Sequence, residues 1–229
     1  MNCGIIVAAA GQGRRLGLKQ NKILVELARR PMLIYSVECF VEFAWAKEIV
    51  VVVHELEVEL IEQLLRVHNL GQVKVVPGGS ERQHSIKNGL EVITSEYVMV
   101  HDAARPFISK QLIGRIYDRL MDIDAVIPGT PVVETIKMVD GYQRVYETLN
   151  RDQLWSIQTP QAFRRTLLVE AYKRAEADKF LGTDDASLVE RLGVDVEVVM
   201  GDYRNLKVTT ADDLLHAEVI LQNWSDMND

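Results

Sequence analysis

The chain is poor in the features that staple small secreted scaffolds or span membranes. Its 229 residues include two cysteines, Cys3 and Cys39. They lie far apart and outside any CxxC or Cys/His grouping, so no disulfide framework, zinc site or redox pair is indicated. Both read as small buried hydrophobes. No apolar run approaches the roughly 18–20 residues needed to cross a bilayer. Met1-Asn2-Cys3-Gly4 leads into a strand-like segment with neither a basic leader nor an Arg/Ser-rich transit stretch. Positive charge is in deficit, with 26 Lys plus Arg against 33 Asp plus Glu and a formal net charge of −7. That balance argues against a protein that coats nucleic acid or an anionic membrane. The expectation is a cytoplasmic protein with neither partner, in which any anionic ligand must meet a local cluster of cations.

What the chain does contain is core material. It is 48% hydrophobic and 26% charged, enough for one sizeable core over residues 1–229. Short β-rich runs (Ile5 to Ala9, Glu48 to Val53, Val73 to Val76, Tyr97 to Val100, Ala125 to Ile127) alternate with helix-period segments. Leu33, Ile34, Val37, Phe40 and Val41 form one such segment, and Leu60, Ile61, Leu64 and Leu65 another. Ser80 with Gln83 has the spacing of a capping box opening a helix through Ile86 and Leu90. This alternation predicts an α/β fold, Rossmann-like, whose mostly parallel sheet is covered by helices on both faces. From Val132 to Asn150 the pattern switches to alternating residues around Asp140-Gly141, a hairpin signal. Such a polar ribbon is marginal alone in water, so it is expected to protrude as an arm, about 132–151, that packs on a second subunit. Helices are expected over Arg164 to Asp178, Asp184 to Leu192 and Ala211 to Leu221, a strand over Val194 to Val199, and a frayed tail over 224–229.

Two segments carry most of the chemistry. After the first strand comes Ala8-Ala9-Ala10-Gly11-Gln12-Gly13-Arg14-Arg15-Leu16-Gly17, with Lys19 and Lys22 close behind. Glycines let backbone N–H groups approach a ligand, and the cations answer a polyanion. A dinucleotide fingerprint needs a third glycine where Leu16 stands, and a Walker A loop needs a Gly-Lys-Ser/Thr that is absent. A loop around a nucleotide triphosphate remains, as does a plain glycine turn with solvated arginines. The second segment, Val100-His101-Asp102-Ala103-Ala104-Arg105-Pro106, also follows a strand, where open α/β sheets place ligands. Asp102 could hold Mg2+ and Arg105 could bind phosphate, or the two could be a structural ion pair. Two clusters at neighbouring strand ends favour a site. No GxSxG motif occurs, and His54, His68, His84, His101 and His216 lack metal-ligand spacing. Phosphoryl or nucleotidyl transfer suits such an inventory, because it depends on positioning and cations more than on a protein nucleophile.

With Gly78-Gly79-Ser80-Glu81-Arg82-Gln83-His84-Ser85, the Thr135 to Arg151 hairpin, Thr159-Pro160-Gln161, Gly182-Thr183-Asp184-Asp185-Ala186-Ser187 and Asn205-Leu206-Lys207-Val208-Thr209, seven motifs stand in order along nearly the whole chain. In this the sequence resembles the 2-C-methyl-D-erythritol 4-phosphate cytidylyltransferases of non-mevalonate isoprenoid synthesis. The resemblance implies CMP transfer from CTP to methylerythritol 4-phosphate with Mg2+, in a homodimer joined through the hairpin arm. It implies that Arg15 and Lys22 stabilise the transition state at the α-phosphate, and that Lys207 and Arg151 position the acceptor phosphate, Arg151 from the neighbouring subunit. It assigns CTP binding to Ala9, Ala10, Gly11, Gly13, Gly79, Ser85 and Ala103. The acceptor falls to Asp102, Arg105, Thr135, Thr159 and Thr183, with Asp102 also a metal contact. Two departures stand out: Lys22 is flanked by Asn21 and Ile23 rather than by Pro and Gln, and Ser80 occupies a position that is often acidic. Ribitol 5-phosphate cytidylyltransferase is the alternative within the class. An NAD-dependent dehydrogenase or a non-catalytic nucleotide-binding protein are alternatives outside it.

Overall fold

The computed structural model describes residues 2–11 and 21–224. Its elements in chain order begin with β1 (Cys3–Ala8), the two-residue strands β2 (Glu26–Leu27) and β3 (Arg30–Pro31), α1 (Met32–Val41), β4 (Ala46–Val53), α2 (Val58–Val67), β5 (Lys74–Pro77), α3 (Arg82–Val92) and β6 (Tyr97–Asp102). They continue with α4 (Lys110–Leu120), β7 (Ala125–Pro131), β8 (Lys137–Val139), β9 (Val145–Thr148), β10 (Trp155–Ile157), β11 (Gln161–Arg164), α5 (Arg165–Ala177), α6 (Ala186–Glu190), β12 (Glu197–Met200) and α7 (Ala211–Gln222). Eight strands make the central sheet. β6, β1, β4 and β5 pair in parallel, as do β7 and β12. β11 runs antiparallel between β6 and β7, and β10 continues along the same flank of β7. The sheet is therefore mostly parallel, as the alternation of runs implied. The antiparallel insert, α4 and the short β2–β3 pair carry no such local signal.

The continuous apolar runs follow from burial on both faces. Cys3, Ile5 and Val7 of β1 pack with Leu33, Ile34, Val37 and Phe40 of α1, with Ile61 and Leu65 of α2, and with Ile113 and Ile116 of α4. Ile6, Val50, Val52, Val98 and Val100 face the other way, against Ile86 and Leu90 of α3 and Leu168, Ala171 and Tyr172 of α5. Each such large apolar side chain contributes roughly 1.5–3 kcal/mol by leaving water. Cys3 is buried and Cys39 partly so, and burial pushes both thiols up.

Three local expectations are revised. The capping box at Ser80 does not form: Glu81 is the N-cap of α3 and makes no side-chain cap bond. Ser80 instead pairs with His84 Nδ1 at 2.9 Å, and Gln83 is drawn to Phe180 O and Gly182 N across the fold. The hairpin is present as β8 and β9, but Asp140 organises its turn by accepting from the Tyr142 and Arg144 amides, and the positive φ, 62°, falls on Gln143. Trp224, grouped with the tail, packs on Phe107 with ring centroids 5.3 Å apart. Residues 225–229 lie outside the described residues.

Candidate active site

The strands that align their carboxyl ends, β1, β4, β5 and β6, present four consecutive loops to one side of the sheet. Between these loops lies a cavity of about 530 Å3, reached by Ala8 to Gly11, Lys22, His54, Gly79 to Arg82, Ser85, Asp102 and Lys207. Backbone bonds hold the loops together: Ala9 N to Val52 O at 2.8 Å, Gly78 N to Val53 O at 2.7 Å and Ala103 N to Ala8 O at 3.0 Å. The glycine pair after β5 is required by crowding. A Cβ on Gly78 would sit 2.7 Å from Ser85 Oγ and 2.8 Å from Ala10 Cβ, and one on Gly79 would sit 2.5 Å from His84 Cβ. With the loop this close, the Gly79 amide donates to Ser85 Oγ at 3.1 Å, and that hydroxyl donates to Glu81 O at 3.0 Å.

Lys22 begins a 3-10 turn whose N-cap is Asn21. Asn21 is buried, accepts from Ile23 N, and donates to Ala9 O at 3.2 Å and to Glu57 Oε2 at 2.8 Å. The Lys22 ammonium reaches Val208 O at 3.4 Å. Lys207 arrives on a strap pinned by Asn205, whose amide donates to Thr159 O at 2.9 Å, and by Val208 N to Ala104 O at 2.8 Å. Two lysines remote in sequence thus reach the same rim.

The floor is a chain of charges. Asp102 Oδ2 accepts from Lys207 Nζ at 2.5 Å and Oδ1 from Arg82 Nε at 3.2 Å, and Arg82 Nη2 continues to Asp185 Oδ2 at 2.8 Å. Burial alone would raise the Asp102 pKa, but Arg82 and Lys207 reverse this and hold the carboxyl well below the usual carboxylate range. Arg105 is not the ion-pair partner of Asp102 that its position suggested. Its guanidinium turns to Asn205 O at 2.6 Å and Ile157 O at 3.4 Å, so it braces the strap.

Behind Asp102 sits His101, fully buried and edge-on to Phe40. Thr159 Oγ1 accepts from Asp102 N at 3.0 Å, which leaves its proton for His101 Nδ1 at 3.1 Å, while His101 Nε2 meets Arg105 O at 3.0 Å and must donate to it. The ring is thereby set as the neutral Nε2–H tautomer. Burial lowers its pKa to about 4, against the ordinary 6.5. Because the folded value lies below the unfolded one, the unfolded chain takes up the proton first, and stability is lost as pH falls from about 6.5 toward 4. Between pH 7.5 and 5 this one group is expected to cost about 2 kcal/mol. Urea titrations at the two pH values check it. His101→Asn should flatten the pH dependence, and an unchanged slope in the variant would rule His101 out as the cause.

Of the residues proposed from sequence, Ala9, Ala10, Gly11, Lys22, Gly79, Ser85, Asp102 and Lys207 meet at this cavity. Ala103, Arg105 and Thr159 stand immediately behind it. Thr135, Thr183 and Arg151 are exposed and do not line it; Arg151, at the foot of the hairpin, donates to Val133 O at 2.9 Å. Gly13 and Arg15 lie outside the described residues. Sequence reasoning assigned no role to Arg82, Asp185, Tyr172 or Asn21. None of the four carries a distinguishing local pattern, because each acts through a partner remote in sequence.

A cation-rimmed cavity at the carboxyl ends of a mostly parallel sheet, lined by Gly11 and Gly79, is the arrangement of an α/β nucleotide-binding protein of the transferase kind. The profile of the family described as "IspD: 2-C-methyl-D-erythritol 4-phosphate cytidylyltransferase" matches residues 3–223. Relatives named 2-C-methyl-D-erythritol 4-phosphate cytidylyltransferase include one from Bacillus velezensis, 44% identical over 95% of both chains. Another, from Geobacillus thermodenitrificans, is 45% identical over 96% of this chain and 97% of its own. Among solved structures, 4-diphosphocytidyl-2C-methyl-D-erythritol synthase from Anaerococcus prevotii superposes with a TM-score of 0.85 at 32% identity, covering 96% of this chain and 98% of that one. The Francisella tularensis cytidylyltransferase does so at 0.82 and 30%, covering 96% and 99%. The chain belongs to the 2-C-methyl-D-erythritol 4-phosphate cytidylyltransferase family. These relatives favour that reading over the ribitol phosphate, dehydrogenase and non-catalytic alternatives.

Proposed function

We propose that this chain transfers CMP from CTP to 2-C-methyl-D-erythritol 4-phosphate. The observation that carries the reading is the convergence of Lys22 and Lys207 on one cavity that Gly79 and Ser85 also line. The cytosine sits against the Ala9, Ala10 and Gly79 backbone and the Ser85 hydroxyl, with Gly11, Gly13 and Ala103 completing the CTP site. An acceptor phosphate oxygen attacks the α-phosphorus in line, a P–O bond forms to it, and the bond to the bridging oxygen breaks to release pyrophosphate. A phosphate monoester is largely dianionic at neutral pH, so no general base is needed. Charge grows on the α-phosphate oxygens during attack, and Lys22 with Arg15 meets it there. Lys207 leaves Asp102 for the acceptor phosphate, and Asp102 is then free to accept from an acceptor hydroxyl. Arg105 and Thr159 support the acceptor side through the strap and Asp102, while Thr135 and Thr183 border it.

Mg2+ fits this donor set as an ion that arrives with the triphosphate. Among the described residues no group of three or more His, Cys, Asp or Glu gathers to hold a metal, and Mg2+ characteristically uses one or two carboxylates beside substrate phosphates and water. Asp102, once Lys207 has left it, would supply one ligand. The ion would neutralise charge on the phosphate oxygens.

The hairpin supports a homodimer. Val139, Tyr142, Val145 and Tyr146 are each more than half exposed, and a two-stranded ribbon gains by covering them on a second copy. Arg151 then serves the partner's site. Free Cys3 and Cys39 suit a reducing compartment, the cytoplasm, and no helix among the described residues is long and apolar enough to cross a membrane. The test is pyrophosphate release with CTP and Mg2+, comparing methylerythritol 4-phosphate with ribitol 5-phosphate. Selective turnover of the first is expected, whereas turnover of ribitol 5-phosphate alone would replace the acceptor assigned here.

A further inference from the structure

We infer that Asp185 is a positioning residue for the acceptor side of the site, acting through Arg82 and itself aligned by Tyr172 and Gln161; the inference rests on the proposed acceptor. Asp185 is fully buried and does not reach the cavity, yet it anchors a side chain that does. Arg82 lies between two carboxylates, giving Nε to Asp102 and Nη2 to Asp185. A guanidinium is planar, so two bonds to fixed partners leave its plane little freedom to rotate. The other Asp185 oxygen accepts from the Tyr172 hydroxyl, and its amide donates to Gln161 Oε1 at 3.1 Å. Apart from Arg82, Asp185 is thereby held at two points, one from α5 and one from β11.

The charges make the arrangement specific. Asp102 and Asp185 carry two negative charges, Arg82 and Lys207 two positive ones. Because Arg82 shares its charge with Asp185, Asp102 is braced from one side and its hold on Lys207 stays exchangeable. Without Asp185 the guanidinium would keep Asp102 as its single carboxylate partner here and would be free to swing about that bond. Asp102 would then lose its fixed direction. The cytosine frame of Gly79, Ser85 and Glu81 is closed by its own hydrogen bonds and does not pass through Asp185.

Displacements near 1 Å can cost up to about 100-fold. Asp185→Asn and the gentler Tyr172→Phe, which keeps the ring packed, are therefore expected to raise KM for methylerythritol 4-phosphate about 10-fold or more. KM for CTP should stay within about two-fold, since CTP is held elsewhere. Asp185→Asn added to Arg82→Gln should do no further harm, because the effect travels through Arg82. Additive losses, equal losses for both substrates, or a fall in Tm with unchanged acceptor KM would each overturn the role. A readout independent of turnover is the Arg82 Nε–H resonance of ligand-free protein. It should shift or broaden in both variants, and an unmoved resonance would overturn the positioning claim. Absence of wild-type turnover would instead sink the proposed reaction, with the resonance still deciding the geometry.

Discussion

Lys22→Ala is expected to lower kcat by roughly 100- to 1,000-fold while leaving CTP affinity within a few-fold, the pattern of an interaction made chiefly in the transition state. In the ground state a triphosphate's charge is already spread over many oxygens. During attack, charge concentrates around the α-phosphorus, and a cation fixed beside it gains value as the reaction proceeds. Lys22 is suited to this because its turn is set by Asn21, which is tied to the end of β1 and to Glu57. The ammonium is thus delivered by a braced backbone. Steady-state kinetics together with CTP titration calorimetry separate the two cases. A CTP affinity that falls in parallel with kcat would make Lys22 a ground-state anchor instead.

Arg151→Ala alone should nearly abolish turnover, yet an equal mixture of Arg151→Ala and Lys22→Ala chains, dissociated and reassembled, should recover about one quarter of wild-type activity. The figure follows from symmetry: about half of the dimers are mixed, and each has one site that draws an intact Lys22 and an intact Arg151 from opposite chains. Within its own chain Arg151 is exposed, bonded to Val133 O and not among the residues lining the cavity, which is the arrangement a role in the partner's site requires. If it serves its own subunit after a rearrangement, every mixed dimer has two damaged sites and activity stays at background. Native mass spectrometry must confirm the mixed species, so that silence means a within-chain role and not failed exchange.

The sheet was readable because its signal is local. Ile5, Ile6 and Val7, or Val50 to Val53, are apolar on both faces, and that can be seen within a few residues. β11 was not readable on the same basis, because Gln161-Ala162-Phe163-Arg164 has no strand signature of its own. Its pairing comes from β6 and β7 on either side. The Ser80/Gln83 box was misread for a related reason: the spacing is right, but both side chains have better partners from other parts of the fold.

The same division runs through the site. Glycines 78 and 79, Lys22 and Asp102 announce themselves by composition at strand ends, since close backbone approach and anion binding each demand particular residue types in short stretches. Arg82, Asp185 and Tyr172 carry no such mark, because their function is their contact with one another across 103 and 13 residues of chain. The sequence by itself determined the parallel strands and most of the helices around them, the position of the glycine-rich segment after the first strand, and which cations are available. Only the tertiary structure decided that Asp102 pairs with Arg82 and Lys207 and not with nearby Arg105, that His101 is locked neutral, and that Arg151 bonds to Val133 O and does not line its own cavity. Those outcomes depend on desolvation and on long-range partners, both of which come into being only when the chain has closed on itself.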